Sequence, residues 1–238
     1  MISSIPTIGT NKALPGSLYI VATPIGNLED ITLRALRVLG EVSAIACEDT
    51  RQTVKLLNRH GIKKELISYY QPHEGRKIPL LMDILKKGKD IALVSDSGTP
   101  GISDPGFRLV REALKEGIPI IPIPGPTAFA AALSASGLPS HRFKFVGFPP
   151  AKKEAARKWL NSLSEEEATL IFYLPARKAA DFLRSAAEIL GERPVVVARE
   201  LTKVYEEFLR GNIREVLAKL ENKAPKGEIT LLIGGKED

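Results

Sequence analysis

Short apolar runs and stretches of helical period alternate along the first half of the chain. Leu18–Ala22, Val42–Cys47, Leu66–Tyr69, Ile91–Val94 and Ile118–Ile123 are brief runs bounded by turn formers, and they predict buried strands. Between them, apolar positions recur every three or four residues. Leu33, Leu36 and Leu39 mark a helix capped by Asp30 and ending near Gly40. Thr50–His60 closes at Gly61, Ile78–Lys87 at Gly88 and Phe107–Glu116 at Gly117. Thr127–Ala135 is a helix of small residues suited to close packing. Such alternation predicts a largely parallel sheet with helices on both faces.

The pattern changes after Gly137. Arg142-Phe143-Lys144-Phe145 alternates like a half-buried strand, and Pro149-Pro150 with Lys152-Lys153-Glu154 marks a junction. Helices are expected over Lys152–Leu163, over Ala179–Leu190 and from an Asn212 cap through Leu220. Strands are expected at Thr169–Tyr173, Val195–Ala198, Glu206–Leu209 and Glu228–Ile233. The expected fold class is α/β with two domains. A flexible arm spans 1–15, an N-terminal α/β domain 16–137 and a mixed C-terminal α/β domain 138–238.

Composition changes this picture little. The 238 residues carry a net charge of +6, which permits a polyanionic partner without requiring one. Cys47 is the single cysteine, so an internal disulfide and a thiolate metal cluster are excluded. No apolar run approaches the roughly 18 residues of a membrane span. No secretory leader is visible, and a cytoplasmic protein is expected.

Ala92–Gly106 draws the chemistry together. It begins as a buried strand and ends with Asp104 as an expected N-cap and Pro105 at the first helical position. Between lie small, hydroxyl and turn-forming residues that let backbone approach a ligand. In an open α/β sheet, the loop leaving a strand's carboxyl end is where ligands bind. Other polar clusters fall at equivalent positions: Thr23–Asn27, Glu48–Arg51, Pro124–Thr127 and Arg199–Lys203. Five such clusters describe the rim of a site, although ion-pair networks that merely hold strand ends together are the structural alternative. Neither a G-x-G-x-x-G loop nor a phosphate-binding P-loop is present. Gly101-Ile102-Ser103-Asp104-Pro105 lacks the second glycine of a nucleophile elbow. His60, His73 and His141 stand singly and are read as structural or exposed.

The stretches Val21-Ala22-Thr23-Pro24-Ile25-Gly26-Asn27-Leu28, Cys47-Glu48-Asp49-Thr50-Arg51, Ser95–Gly106, Pro124-Gly125-Pro126-Thr127-Ala128 and Ala198-Arg199-Glu200-Leu201-Thr202-Lys203 resemble the tetrapyrrole (corrin/porphyrin) methylase superfamily. The likeness is greater to its ribosomal RNA methyltransferase branch and runs from about Gly16 to Gly235. Three features depart from that branch: Leu174-Pro175-Ala176-Arg177-Lys178 replaces its usual Glu-Ser-Pro-His-Arg, Ser97 stands where alanine is usual, and the arm before Gly16 is longer.

The resemblance implies the two-domain fold of that superfamily, with the donor in an active-site cleft between the two domains. It also implies S-adenosylmethionine as methyl donor, a homodimer, and 2′-O-methylation of a cytidine ribose in the decoding region of 16S rRNA. By motif position it assigns Gly98, Thr99, Pro100, Gly101, Ile102, Thr127 and Ala128 to the donor; Pro24, Ile25, Pro126 and Thr230 are expected beside it, and Asp96 is expected to pair with its ammonium or to act on the acceptor. Glu48, Asp96, Glu200 and Lys203 are the catalytic candidates, as a general base or as stabilisers of developing charge. The chemistry requires no metal. Arg51, Arg142, Lys144, Lys152, Arg177, Lys178 and Arg199 are candidates for contacts with 16S rRNA or the small ribosomal subunit, since RNA affinity rests on phosphate contacts. A tetrapyrrole or protein side chain as methyl acceptor, and a non-catalytic RNA-binding protein that retains the fold, are the competing readings.

Overall fold

The structure is a computed structural model that describes residues 14–71, 73–223 and 225–236. Most of the arm expected over 1–15 lies outside the described residues. The chain divides into two compact units. One is built on the chain up to Ala22 together with Thr32–Pro124, and the other on Thr23–Ile31 together with the chain from Gly125. The short excursion Thr23–Ile31 and helix Ala128–Ser134 therefore group with the second unit, whereas the sequence pattern alone keeps both in the first.

The first unit is a five-stranded sheet of β1 (Leu18–Val21), β2 (Ala44–Cys47), β3 (Glu65–Ser68), β4 (Ile91–Val94) and β5 (Ile120–Ile123). Its order is β3-β2-β4-β1-β5, and every pairing is parallel. Parallel strands require crossovers, which α1 (Leu33–Glu41), α2 (Thr50–Arg59), α3 (Glu74–Lys86) and α4 (Phe107–Lys115) provide. Ala44, Ala46, Ile91 and Leu93 pack against Leu81 and Leu85 of α3 and Leu109 and Ala113 of α4. Successive residues point to opposite faces, and Ile45, Cys47 and Ala92 on the other face are also fully buried. The Cys47 thiol lies against Thr53 of α2, and Leu56 and Leu57 of that helix are buried too. Pro122 lies on the edge strand β5, where a missing N–H costs no ladder bond.

The second unit is a mixed sheet of β6 (Phe143–Gly147), β7 (Thr169–Pro175), β8 (Pro194–Arg199), β9 (Glu207–Asn212) and β10 (Glu228–Ile233), in the order β6-β7-β10-β8-β9. β6 and β7 are parallel; the other neighbours are antiparallel. One face, with Leu170, Phe172, Val195, Val197, Leu231 and Ile233, packs with Leu160 of α6 (Lys153–Asn161), Leu183 and Ala186 of α7 (Ala179–Leu190) and Val216 of α8 (Ile213–Lys223). The other face, with Ile171, Val196, Ala198 and Leu232, packs with Ala132 and Leu133 of α5 (Ala128–Ser134) and with Ile25 and Leu201. Each fully buried Leu, Ile or Val contributes about 1.5–3 kcal/mol. Arg193 is buried and donates to the carbonyls of Leu190, Glu166, Gly234 and Ser164, tying three segments at one edge.

Several element ends differ from the sequence reading. The N-cap of α1 is Thr32, whose hydroxyl accepts the Ala35 N–H, while Asp30 ends a short 3₁₀ turn, Leu28–Asp30. α3 begins at Glu74, four residues before Ile78, and accommodates Pro79. α4 is entered through Gly106 at φ +150°, not through an Asp104 cap. A Cβ at Gly106 would stand 3.1 Å from Leu93 Cδ2 and 3.2 Å from the Gly101 nitrogen, so the crowded turn selects glycine. The expected Asn212 cap is present as a reciprocal pair. Asn212 Oδ1 accepts the Glu215 N–H at 3.0 Å, and Glu215 Oε2 accepts the Asn212 N–H at 3.2 Å.

Candidate active site

In the first unit, β2 and β4 are adjacent and parallel, so the residues that follow them stand on one edge of the sheet. Asp96 Oδ1 accepts the Asp49 N–H at 2.9 Å, joining the Glu48–Arg51 cluster to the Ser95–Gly106 loop. Asp49 caps α2 by accepting the Arg51 N–H at 2.9 Å. It also takes the Arg51 guanidinium in a two-oxygen grip, at 3.0 Å from Nε and 2.6 Å from Nη2. The Arg51 side chain, then its backbone N–H, hold the Asp49 carboxyl down at about 2. Glu48 goes the other way. Burial, then the charges of Asp96 and Asp49, push its carboxyl above the usual range. Neighbouring carboxylates are thus driven apart, one fixed as an anion and the other with raised proton affinity.

The loop after β4 is shaped from within. Ser95 is buried, and its hydroxyl donates to the Gly98 carbonyl at 3.2 Å. Ile102 N–H bonds the Thr99 carbonyl at 3.2 Å, closing a turn. Gly98 and Pro100 are buried, Thr99 is half-buried, and Asp96, Gly101 and Ile102 are exposed. The exposed part presents a carboxylate, free-standing backbone and an aliphatic side chain, the donor set that a ligand with an ammonium group and an apolar body requires.

In the second unit, Arg199, at the end of β8, leads into a strained turn: Glu200 has φ +50° and Thr202 φ +64°. A β-branched residue there is an outlier that surrounding structure must enforce. The enforcement is visible. Thr202 N–H donates to Glu206 Oε2 at 2.6 Å, and Thr202 Oγ1 accepts the Asn27 N–H at 3.0 Å. Gly26 approaches so closely that a Cβ would lie 2.5 Å from Lys203 Cγ and 2.7 Å from Thr202 Oγ1. Pro24 and Ile25 are buried beside it, Ile25 against Leu201 and α5.

Lys203 Nζ bonds Glu200 Oε1 at 3.0 Å and reaches Glu228 Oε2 at 3.3 Å. Burial disfavours the Glu200 anion, but the Glu228 N–H, the Lys203 ammonium and the Arg199 charge outweigh it and hold the carboxyl below its usual range. Burial likewise lowers Lys203, and its two carboxylate partners more than restore it. Arg199 Nε bonds Glu207 Oε2 at 3.3 Å, and its Nη1 donates to the Lys226 carbonyl at 3.2 Å.

Thr230 of β10 is buried between Tyr173 of β7 and Ala198 of β8. The Tyr173 hydroxyl accepts the Phe129 N–H at 3.1 Å and so fixes the start of α5, where Pro126, Thr127 and Ala128 are half-buried. Thr230, Tyr173 and this segment thus form one group. Tyr173 was not singled out from the sequence, and Asn27 and Thr202 stood there only as members of their clusters, because their roles rest on contacts between distant segments.

The basic candidates in this unit are not gathered together. Arg142 and Lys144 lie at the start of β6 and pair with Glu167 at 3.0 Å and Glu166 at 2.8 Å. Because β6, β7 and β8 run in the same direction, Arg177, Lys178 and Arg199 lie at the opposite edge of the sheet. Arg177 and Lys178 are exposed on a 3₁₀ turn, and Lys152 is exposed at the start of α6. Among the described residues no cluster suited to a metal is found, and no helix is long and apolar enough to cross a membrane.

Comparison with known proteins adds to this geometry. The family of tetrapyrrole (corrin/porphyrin) methylases matches residues 17–217. Ribosomal RNA small subunit methyltransferase I of Thermotoga maritima is 46% identical over 222 residues, which cover 93% of this chain and 100% of that protein. The protein of the same name from Halalkalibacterium halodurans is 50% identical over 220 residues, 92% of this chain and 76% of its own. Among solved structures, uroporphyrin-III C-methyltransferase from Thermus thermophilus, complexed with S-adenosylhomocysteine, superposes with a TM-score of 0.63 at 20% identity, covering 92% of this chain and 97% of that one.

Proposed function

The chain belongs to the tetrapyrrole (corrin/porphyrin) methylase family, and from that membership we propose that it is an S-adenosylmethionine-dependent methyltransferase of small-subunit ribosomal RNA. What carries this reading is the match, over the whole length of the Thermotoga protein, to a ribosomal RNA methyltransferase. The finer target is the 2′-oxygen of a cytidine ribose in the decoding region of 16S rRNA. Relatives at this level of identity name RNA, whereas the tetrapyrrole enzyme shares only 20%.

When bound, the donor supplies an electrophilic methyl group on a sulfonium. The residues described above suit it. The exposed Asp96 carboxylate can take its ammonium, the Gly101 backbone its polar groups, and Ile102 its apolar body, with Gly98, Thr99 and Pro100 shaping the loop. Thr127 and Ala128 belong to the donor side by motif position, with Pro24, Ile25, Pro126 and Thr230 proposed beside them.

The pKa directions rank the catalytic candidates. A ribose hydroxyl is a weak nucleophile and gains from a base whose pKa approaches the working pH. Glu200 and Lys203 hold each other charged, so Glu200 has reduced affinity for a proton and Lys203 has none to accept. Glu48, with its raised proton affinity, is the better base. Lys203 serves as a fixed positive charge, and Arg51 as the clamp that keeps Asp49 anionic beside Glu48.

The test uses labelled donor with small subunits that lack the modification, followed by digestion and mapping. Label on one cytidine ribose of 16S rRNA supports the reading. Label only in a small molecule or a protein overturns it. The resemblance also implies a homodimer; light scattering coupled to size exclusion tests the oligomer.

A further inference from the structure

We propose that the exposed face of α2, together with the residues just after it, is a docking surface for the phosphate backbone of the RNA. The proposal rests on the reading above and places its substrate on this chain. From Thr50 to Lys64 the sequence contains five Lys and Arg residues, Arg51, Lys55, Arg59, Lys63 and Lys64, and no Asp or Glu. Arg51, Lys55 and Arg59 recur at intervals of four, which places them on one helix face. At 1.5 Å per residue they span about 12 Å. Thr53, Leu56 and Leu57 bury the opposite face, while Lys55, Arg59 and Lys63 are exposed and Lys64 is half-buried.

These charges stand together with no carboxylate among them, whereas other exposed basic residues without an ion pair among the described residues, such as Lys152, Arg177 and Lys178, occur in ones and twos. Lys86, Lys115, Arg142 and Lys144 are all neutralised by carboxylates within 3.0 Å. Among the described residues, Lys55, Arg59, Lys63 and Lys64 have no ion pair. The only hydrogen bond from Lys55 Nζ goes to Gln52 Oε1, at 3.3 Å. Arg51 is committed to Asp49, so the stripe begins with a fixed charge at the site edge and continues outward as unpaired ones. A surface that only needed solvation would mix signs, as α4 does with Arg111, Glu112 and Lys115. Unpaired charges of one sign attract a polyanion and release its counterions on contact. The stripe starts where β2 ends, beside Glu48, so RNA held on it lies next to the proposed base.

The experiment compares the wild-type protein, the variant Lys55→Gln/Arg59→Gln/Lys63→Gln/Lys64→Gln and the control Lys86→Gln/Lys87→Gln/Lys115→Gln. Binding to protein-free 16S rRNA and to small subunits is measured across a salt series, with donor affinity by calorimetry. The quadruple variant is expected to lose about tenfold or more in RNA affinity, and its salt slope should fall by roughly 3, at about 0.7 per single-strand phosphate contact. Donor affinity should not change, and the control should match wild type. Lys55→Arg/Lys63→Arg/Lys64→Arg, which keeps the charge, should bind as wild type. Unchanged RNA affinity and slope in the quadruple variant overturn the proposal. A loss confined to assembled subunits, with protein-free rRNA bound normally, assigns the face to an acidic ribosomal protein and also overturns it. Failure of wild type to methylate RNA strikes the reading above instead, because binding is scored separately.

Discussion

The Thr202 hydroxyl accepts the Asn27 N–H at 3.0 Å across 175 residues of sequence. It does so from φ +64°, a conformation that disfavours threonine by about 1–3 kcal/mol. The strain is tolerated because this turn seats the Thr23–Asn27 segment. Gly26→Ala, which would push a methyl to 2.5 Å from Lys203 Cγ, is expected to lower methyl transfer by about tenfold or more. Thr202→Ser should retain activity and Thr202→Ala should lose part of it. Steady-state kinetics on both substrates checks this. Full activity in Gly26→Ala would show that the seating is dispensable.

Glu48 gives a pH signature. Its folded carboxyl lies above the ordinary 4.5, so ionisation at neutral pH opposes folding. Glu48→Gln should therefore raise thermal stability at pH 7. That gain should shrink as pH falls through the folded pKa and vanish below about 4.5, where the carboxyl is protonated in both states. In the same variant, turnover should drop while donor affinity holds. Melting curves across pH, set beside rates, separate the two effects.

Arg193 is a stability residue without a role in chemistry. Its buried guanidinium satisfies four carbonyls, from Ser164, Glu166, Leu190 and Gly234. Arg193→Met leaves these acceptors without their donor and should cost about 3 kcal/mol. Urea unfolding is the measurement. Donor binding per folded molecule should be unaffected.

The reciprocal pair Asn212 and Glu215 starts α8. Asn212→Ala should destabilise the protein by about 1 kcal/mol, seen as a fall of roughly 2–4 °C in Tm. Asn212→Asp should preserve the cap.

Most strands were legible as short apolar runs, and in the first unit their parallel pairing followed from the helices between them. Less visible was α3. It starts at Glu74, a buried carboxylate that approaches Arg108 at 3.6 Å, and it contains Pro79, two features that a periodicity reading takes as signs of a loop. Of the candidate site, the Glu48–Arg51 and Ser95–Gly106 clusters were legible as neighbours, since strand ends in a parallel sheet share an edge. Which charges are available was not. Lys144 and Arg142 look free in sequence, yet Glu166 and Glu167, more than twenty residues away, neutralise them. Lys55 and Arg59 look like ordinary helix surface, yet among the described residues these two have no ion pair. Glu200 and Lys203 read as possible catalysts, but Glu228, 28 residues beyond Glu200, completes a triad that fixes their charge states.

The excursion of Thr23–Ile31 into the second unit sets an order of assembly on the ribosome. These residues emerge early, yet their partners Leu201 and Thr202 are made some 175 residues later. Ile25 must wait exposed through most of translation, and the sheet that receives it closes only once β10, the final strand, is available. Neither half can be cut away at residue 124 as a self-sufficient module, because a fragment from Gly125 onward lacks the piece that completes its own core. A half-made chain therefore leaves Ile25 exposed and the core of the second unit incomplete.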